Sequence, residues 1–198
     1  MVEKKRFFNR DRLTALVDGI FTVAMTIMVV SLVVPETNDI SNSLIDMWPA
    51  LFNYALSFFI LGMFWVTHNK HYLNIEKTDE KYVWLNIIWL MFVVLVPFST
   101  SLISTYSDVT AAEIFFHLNM LAIFALFYLQ VKYVDDHREL LGVKKVEPKL
   151  FERVLTLDKR LMLIALLGII LAFVIPDWSN TVYLLSPFVS PFFRKKKK

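Results

Sequence analysis

Arg12 to Val34 reads RLTALVDGIFTVAMTIMVVSLVV. Basic residues cluster at its start, one carboxylate (Asp18) lies about a turn and a half inside, and Gly19 to Val34 carries no charge. At ~1.5 Å per residue a helix of this length reaches ~35 Å, enough to cross a hydrocarbon core of ~30 Å. Insertion alone does not call for Asp18, Thr22 or Thr26 within such a helix. Their presence points to the wall of an ion pathway.

Working outward, composition excludes an ordinary soluble domain. Of the 198 residues, 57% are hydrophobic and 15% aromatic, more apolar side chain than an interior of this size can hide. The chain has no Cys, so disulfides and thiolate metal sites are excluded. The first apolar run is too long for a cleavable signal peptide and lacks a small-residue cleavage site.

The pattern predicts an all-α membrane protein with a single domain over 1–198. Six transmembrane helices are expected at about 13–34, 48–67, 83–104, 112–131, 161–175 and 179–193. Pro35 ends the first span, Trp48-Pro49 opens the second, and Pro187 and Pro191 interrupt the last. The polar segment 132–160 carries Leu150, Val154, Leu157 and Leu161 at helical spacing, which predicts a cytoplasmic helix running into the fifth span.

The bases sort by side. All 21 Lys and Arg fall before residue 13, between the second and third spans, in 132–160, or after residue 193. The other three loops hold only acids, such as Glu36, Asp39, Asp46, Asp108 and Asp177. The positive-inside rule then places both termini and the longest loop in the cytoplasm, which requires an even number of spans. Trp48 and Trp178 fall at the outer boundary, Trp65 and Trp84 at the inner one.

Several residues invite two readings. Val23, Ile27, Val30 and Val34 form one narrow stripe on the first helix. This is either ordinary helix packing or a hydrophobic constriction that gates by dewetting, and periodicity does not choose between them. The Thr26 hydroxyl either faces a pore edge or returns to a carbonyl one turn earlier. Asp18 is either a solvated interfacial acid or part of a buried cluster with Arg12, Arg10 and His68. His68 and His71 share a face but make a weak metal pattern. Asn86 reads as a hydrogen-bonding contact to a neighbouring helix. No nucleotide loop, GxSxG, HExxH or catalytic carboxylate pair is present, so no enzyme is expected, and no TVGYG-like carbonyl filter exists.

Arg12-Leu-Thr-Ala-Leu-Val-Asp18-Gly19-Ile-Phe21 followed by Ala24-Met-Thr26 resembles the first-helix signature RxxxFSDG(V/I)F…A(I)T of the transmembrane protein 175 family, the endolysosomal potassium channels and their prokaryotic homologues. Trp65-Val-Thr-His68-Asn69 is similar to that family's WxxHH, and Leu85-Asn86 through Pro97-Phe98 to its LNxxxLxxVxxxPF third helix. Leu16-Val17 stands where the family has Phe-Ser, and Asn69 where it has a second histidine. The resemblance implies a potassium-permeable channel, a homotetramer of single-repeat subunits with helix one lining a central pore. On the family pattern Val23, Ile27 and Val30 form the constriction, Thr26 lies beside the path, and Arg12, Asp18 and His68 form the polar base. Potassium is the permeant ion and no cofactor is implied.

The expected setting is the prokaryotic cytoplasmic membrane. The partners expected are the chain's own copies and anionic lipid at the basic inner face, with no nucleic acid. Two rival readings share the architecture: a proton leak through the same pore, and a non-conducting membrane scaffold.

Overall fold

The structure is a computed structural model, and residues 7–33, 39–141 and 148–189 are described. Val34, Pro35, Glu36, Lys144, Lys145, the end of the expected sixth span and the basic carboxyl-terminal run lie outside these residues.

The regular elements of the described residues are helical apart from one pair of two-residue strands. Helix α1 spans Arg10–Val30 and is capped by Asn9, whose side chain accepts from the Asp11 amide. A short helix α2, Ile40–Asp46, sits in the loop that follows. Helix α3 covers Trp48–Tyr72, with Pro49 in its first turn, where a missing N–H costs nothing.

The third predicted span is two helices, α4 (Glu80–Val94) and α5 (Val96–Thr105), joined at Leu95. Pro97 has no amide to give to the Val93 carbonyl, so the helix breaks there. Helix α6 runs Thr110–Asp136. Helix α7, Pro148–Ala172, is one continuous rod that includes both the polar segment and the start of the expected fifth span. Among the described residues four stretches are long and apolar enough to cross a membrane: Arg10–Val30, Trp48–Tyr72, Glu80–Thr105 and Thr110–Asp136.

The expected sixth span, 179–193, is corrected by the structure. Its described part is α8 (Pro176–Ser179), a 3-10 turn (Asn180–Leu185) and α9 (Ser186–Val189). Three of its polar side chains turn inward, which a lipid-facing rod could not allow. Ser179 and Tyr183 bond His117 of α6, and Asn180 bonds Asn53 of α3 at 2.7 Å.

One end of the bundle is stitched together by backbone. Phe7–Phe8 pairs antiparallel with Thr78–Asp79. The Glu76 and Lys77 amides donate to the Leu140 carbonyl at 2.9 and 3.1 Å. The start of α1, the α3–α4 loop and the end of α6 therefore share the side that carries the bases.

In the core, α6 packs on α4, α5 and α7. Phe64 lies 5.0 Å from Phe124, and Trp89 lies 5.7 Å from Phe127, ring centre to ring centre. His117 is fully buried. Its Nδ1 lies 3.0 Å from the Tyr183 hydroxyl, its Nε2 lies 3.0 Å from Ser179 Oγ, and Ser179 donates to Glu113 at 2.9 Å. Because Ser179 gives its one proton to Glu113, it accepts from His117 Nε2–H, and Nδ1 then accepts from Tyr183.

Gly168 of α7 lies against that ring, and a Cβ there would overlap His117. Bonds on both nitrogens prevent the ring from yielding. Gly168→Ala is therefore expected to destabilise the protein by about 1–3 kcal/mol, an overpacking cost. A melting curve of the detergent-solubilised variant, followed by loss of monodispersity, measures it.

Candidate ion-pathway site

Helix α1 has two faces. Leu13, Val17, Phe21, Ala24 and Met28 are buried against α3, α4 and α5. Phe21 meets Trp89 at 5.5 Å between ring centres. The opposite face is unpacked within the subunit. Val23 is 51% exposed, Ile27 46% and Val30 76%, and Thr22 and Thr26 are exposed beside them. A Cβ at Gly19 would meet no atom within 4 Å. The aliphatic stripe is thus not a packing surface of its own subunit. At roughly 100° per residue, Gly19, Thr26 and Val30 lie near the middle of the unpacked face, with Ile27 on its flank.

Both threonine hydroxyls return to the helix. Thr22 Oγ1 donates to the Asp18 carbonyl at 2.8 Å and Thr26 Oγ1 to the Thr22 carbonyl at 2.7 Å. Each hydroxyl has one proton, so what Thr22 and Thr26 turn outward is oxygen lone pairs. Alternating with aliphatic groups, these make a surface that can accept from water or touch a cation.

At the base of α1 the predicted residues do not meet directly. Asp18 is half-buried, and its Oδ1 accepts from Trp65 Nε1 at 2.8 Å. His68 is 2% exposed and its Nε2 lies 3.2 Å from Asn86 Oδ1. Asn86 uses its amide to donate to the Tyr82 carbonyl at 2.8 Å, which turns its oxygen to His68, so the imidazole carries its proton on Nε2. The ring is sandwiched by Trp89 and Tyr72, each 5.1 Å away centre to centre. Arg12 is exposed. It is Arg10 that reaches α3, its guanidinium 5.8 Å from the centre of the Tyr72 ring.

The base is therefore two units, Asp18–Trp65 and Arg10–Tyr72–His68–Asn86. Trp65 was legible as a boundary tryptophan and as the head of the Trp65-Val-Thr-His68-Asn69 motif, but not as the partner of Asp18. Among the described residues no three His, Asp or Glu side chains come together as a metal set.

The fold and this site define a multi-pass helical membrane protein whose first helix keeps a mixed hydroxyl and aliphatic face clear of its own subunit. Residues 12–97 match the family described as "Endosomal/lysosomal potassium channel TMEM175". That match covers under half of the chain.

A potassium channel from Chamaesiphon minutus is 32% identical over 111 residues, which is 54% of this chain and 55% of that protein. One from Streptomyces collinus is 30% identical over 98 residues, 48% of each chain. The chain thus spans about half the length of the curated relatives it matches. In fold it is similar to the crystal structure of a lysosomal potassium-selective channel TMEM175 homolog from Chamaesiphon minutus, with TM-score 0.77, 24% identity, and 91% of this chain and 95% of that one covered. A variant of the potassium channel MtTMEM175, crystallised with a nanobody–MBP fusion, gives TM-score 0.65 at 17% identity, covering 96% of this chain and 91% of that one.

Trp65→Phe keeps the ring and removes the donor to Asp18. The bond joins a carboxylate to a partly exposed indole, so the expected loss is about 1 kcal/mol, below the range for buried charged bonds. The drop in melting temperature, compared with that of Asp18→Asn, which keeps an acceptor, measures it.

Proposed function

We propose that this chain is a potassium-permeable cation channel of the cytoplasmic membrane. It is a homotetramer in which four α1 helices surround a central pore, with no carbonyl selectivity filter. The observation that carries this reading is the unpacked face of α1. A helix facing only lipid has no use for Thr22, Thr26 and a bare Gly19 at the middle of its outer face, whereas a pore wall has. The names of the bacterial relatives and of the structural neighbours agree with it.

In this reading Val23, Ile27 and Val30 supply stacked aliphatic rings. Such rings bar ions by excluding water, and their width sets the barrier. Val23 and Val30 are shorter than Ile27, which makes the Ile27 ring the main constriction. Thr26 offers lone pairs beside the path, a neutral acceptor that favours a cation over an anion. Arg12, Asp18 and His68 belong to the polar base, with Trp65, Asn86 and Arg10 as the residues that hold it in place. The side bearing the bases faces the cytoplasm and meets anionic lipid headgroups. No cofactor takes part beyond the permeant ion.

Reconstituted protein is expected to pass potassium into proteoliposomes. Ile27→Asn should raise that flux about tenfold, equivalent to lowering the barrier by ~1.4 kcal/mol. Thr26→Val should reduce the preference for potassium over sodium, read as a shift in reversal potential. A cross-linked tetramer that carries no potassium, with or without Ile27→Asn, would sink the channel reading in favour of a scaffold.

A further inference from the structure

A cavity of about 160 Å³ lies behind the outer end of α1, lined among others by Met28, Ser31, Tyr54, Thr100, Ser104 and Thr105. It is not part of the unpacked face. Met28 belongs to the buried stripe of α1, on the other side of the helix from Thr26 and Val30. The cavity has room for several waters, and its chemistry is uneven in a telling way. Ser31 donates to the Met28 carbonyl at 2.8 Å, Thr100 to Ser57 Oγ at 2.8 Å, Ser104 to the Thr100 carbonyl at 2.8 Å, and Thr105 to the Ser101 carbonyl at 2.9 Å. Every one of these four hydroxyl protons is directed into the protein. What remains on each oxygen is lone pairs, one of those on Ser104 already accepting from Asn53 Nδ2 at 3.4 Å.

The surrounding field has the same sign. α1 and α5 both end beside the cavity, so the negative ends of two helix dipoles converge there, and neither helix has a basic residue in its last turn. No Lys or Arg occurs between Arg12 and Lys70 or between Lys81 and Lys132, the stretches that supply the whole lining. The start of α3 also borders the space and opposes this field, but Pro49 in its first turn removes one of the amides that would do so.

We propose that this cavity is a binding site for a weakly hydrated monovalent cation, potassium or an ion of its size, held by neutral hydroxyl and carbonyl oxygens. Mg²⁺ and Ca²⁺ are bound chiefly through carboxylates, and no carboxylate lines this space. A larger, softer ion can exchange part of its water shell for neutral oxygens. Bound there, the ion ties the outer end of α1 to α5, and potassium stabilises the subunit that contains it. The inference stands on the cavity alone and does not rest on the pore.

The test uses thallium(I), a heavy ion of similar size, on the full chain in detergent. Crystals soaked in thallium nitrate should show anomalous density in the cavity. The melting temperature should rise with thallium or potassium but not with choline at equal ionic strength. The double variant Ser31→Ala, Thr105→Val should lose the density and raise the half-saturating concentration about tenfold, or ~1.4 kcal/mol. Thr105→Ser, which keeps the hydroxyl, should retain both signals and so separates ligand loss from misfolding. Density confined to the α1 outer face, or an ion response unchanged in the double variant, overturns the site and leaves the channel reading intact. A filled cavity in protein without potassium flux does the reverse.

Discussion

Phe21 rests 5.5 Å from Trp89, ring centre to ring centre, and that contact sets how α1 is rotated about its own axis. In lipid there is little hydrophobic gain in exchanging an acyl chain for a neighbouring helix, so shape and close packing decide which way a helix turns. Leu13, Val17, Ala24 and Met28 extend the same stripe along the helix. Once these five are turned inward, Gly19, Thr22, Thr26 and Val30 have no place within the subunit. The outward face of α1 follows from the inward one, which rests on the aromatic cluster of α3, α4 and α6.

Polar contacts then fix the two ends of the bundle. At the base, His68 is stacked between Trp89 and Tyr72 and bonded to Asn86, so the same tryptophan that positions Phe21 also seats the imidazole. At the far end Asn180 bonds Asn53, and Asn53 reaches Ser104 at 3.4 Å. Ser179 and Tyr183 close on His117 beside Gly168. These polar groups bond to one another across helices, as a lipid setting favours.

How much of this was legible in the chain depended on the physical signal. Apolar length and the placement of Lys and Arg announced the membrane and the four long spans, because lipid imposes both directly. The break at Leu95 was implicit in Pro97. Residues 179–193 read as a span because they are largely apolar and because the sorting of bases required an even number of spans. Only the inward bonds of Ser179, Asn180 and Tyr183 reveal a hook, and these join residues more than sixty positions apart. The stripe Val23, Ile27 and Val30 could be found by spacing, but a wheel cannot tell an inner face from an outer one without the neighbour that covers it. Asp18 read either as a solvated acid or as part of a charged cluster, and its side-chain bond is to the Trp65 indole. Hydrogen-bond partners across helices have no periodicity to betray them.

The pairing of Phe7–Phe8 with Thr78–Asp79 has a consequence for how the protein is made. The first helix leaves the ribosome well before its partner strand exists, and the segment that anchors its base is synthesised only after α3 is complete. Until then α1 lacks both its strand partner and Trp89, on which Phe21 rests. Insertion of the first span and fixing of its rotation are thus separate events in biogenesis, divided by the synthesis of an entire helical hairpin. Of the four long apolar helices, the least buried is synthesised before the residues that fix its rotation.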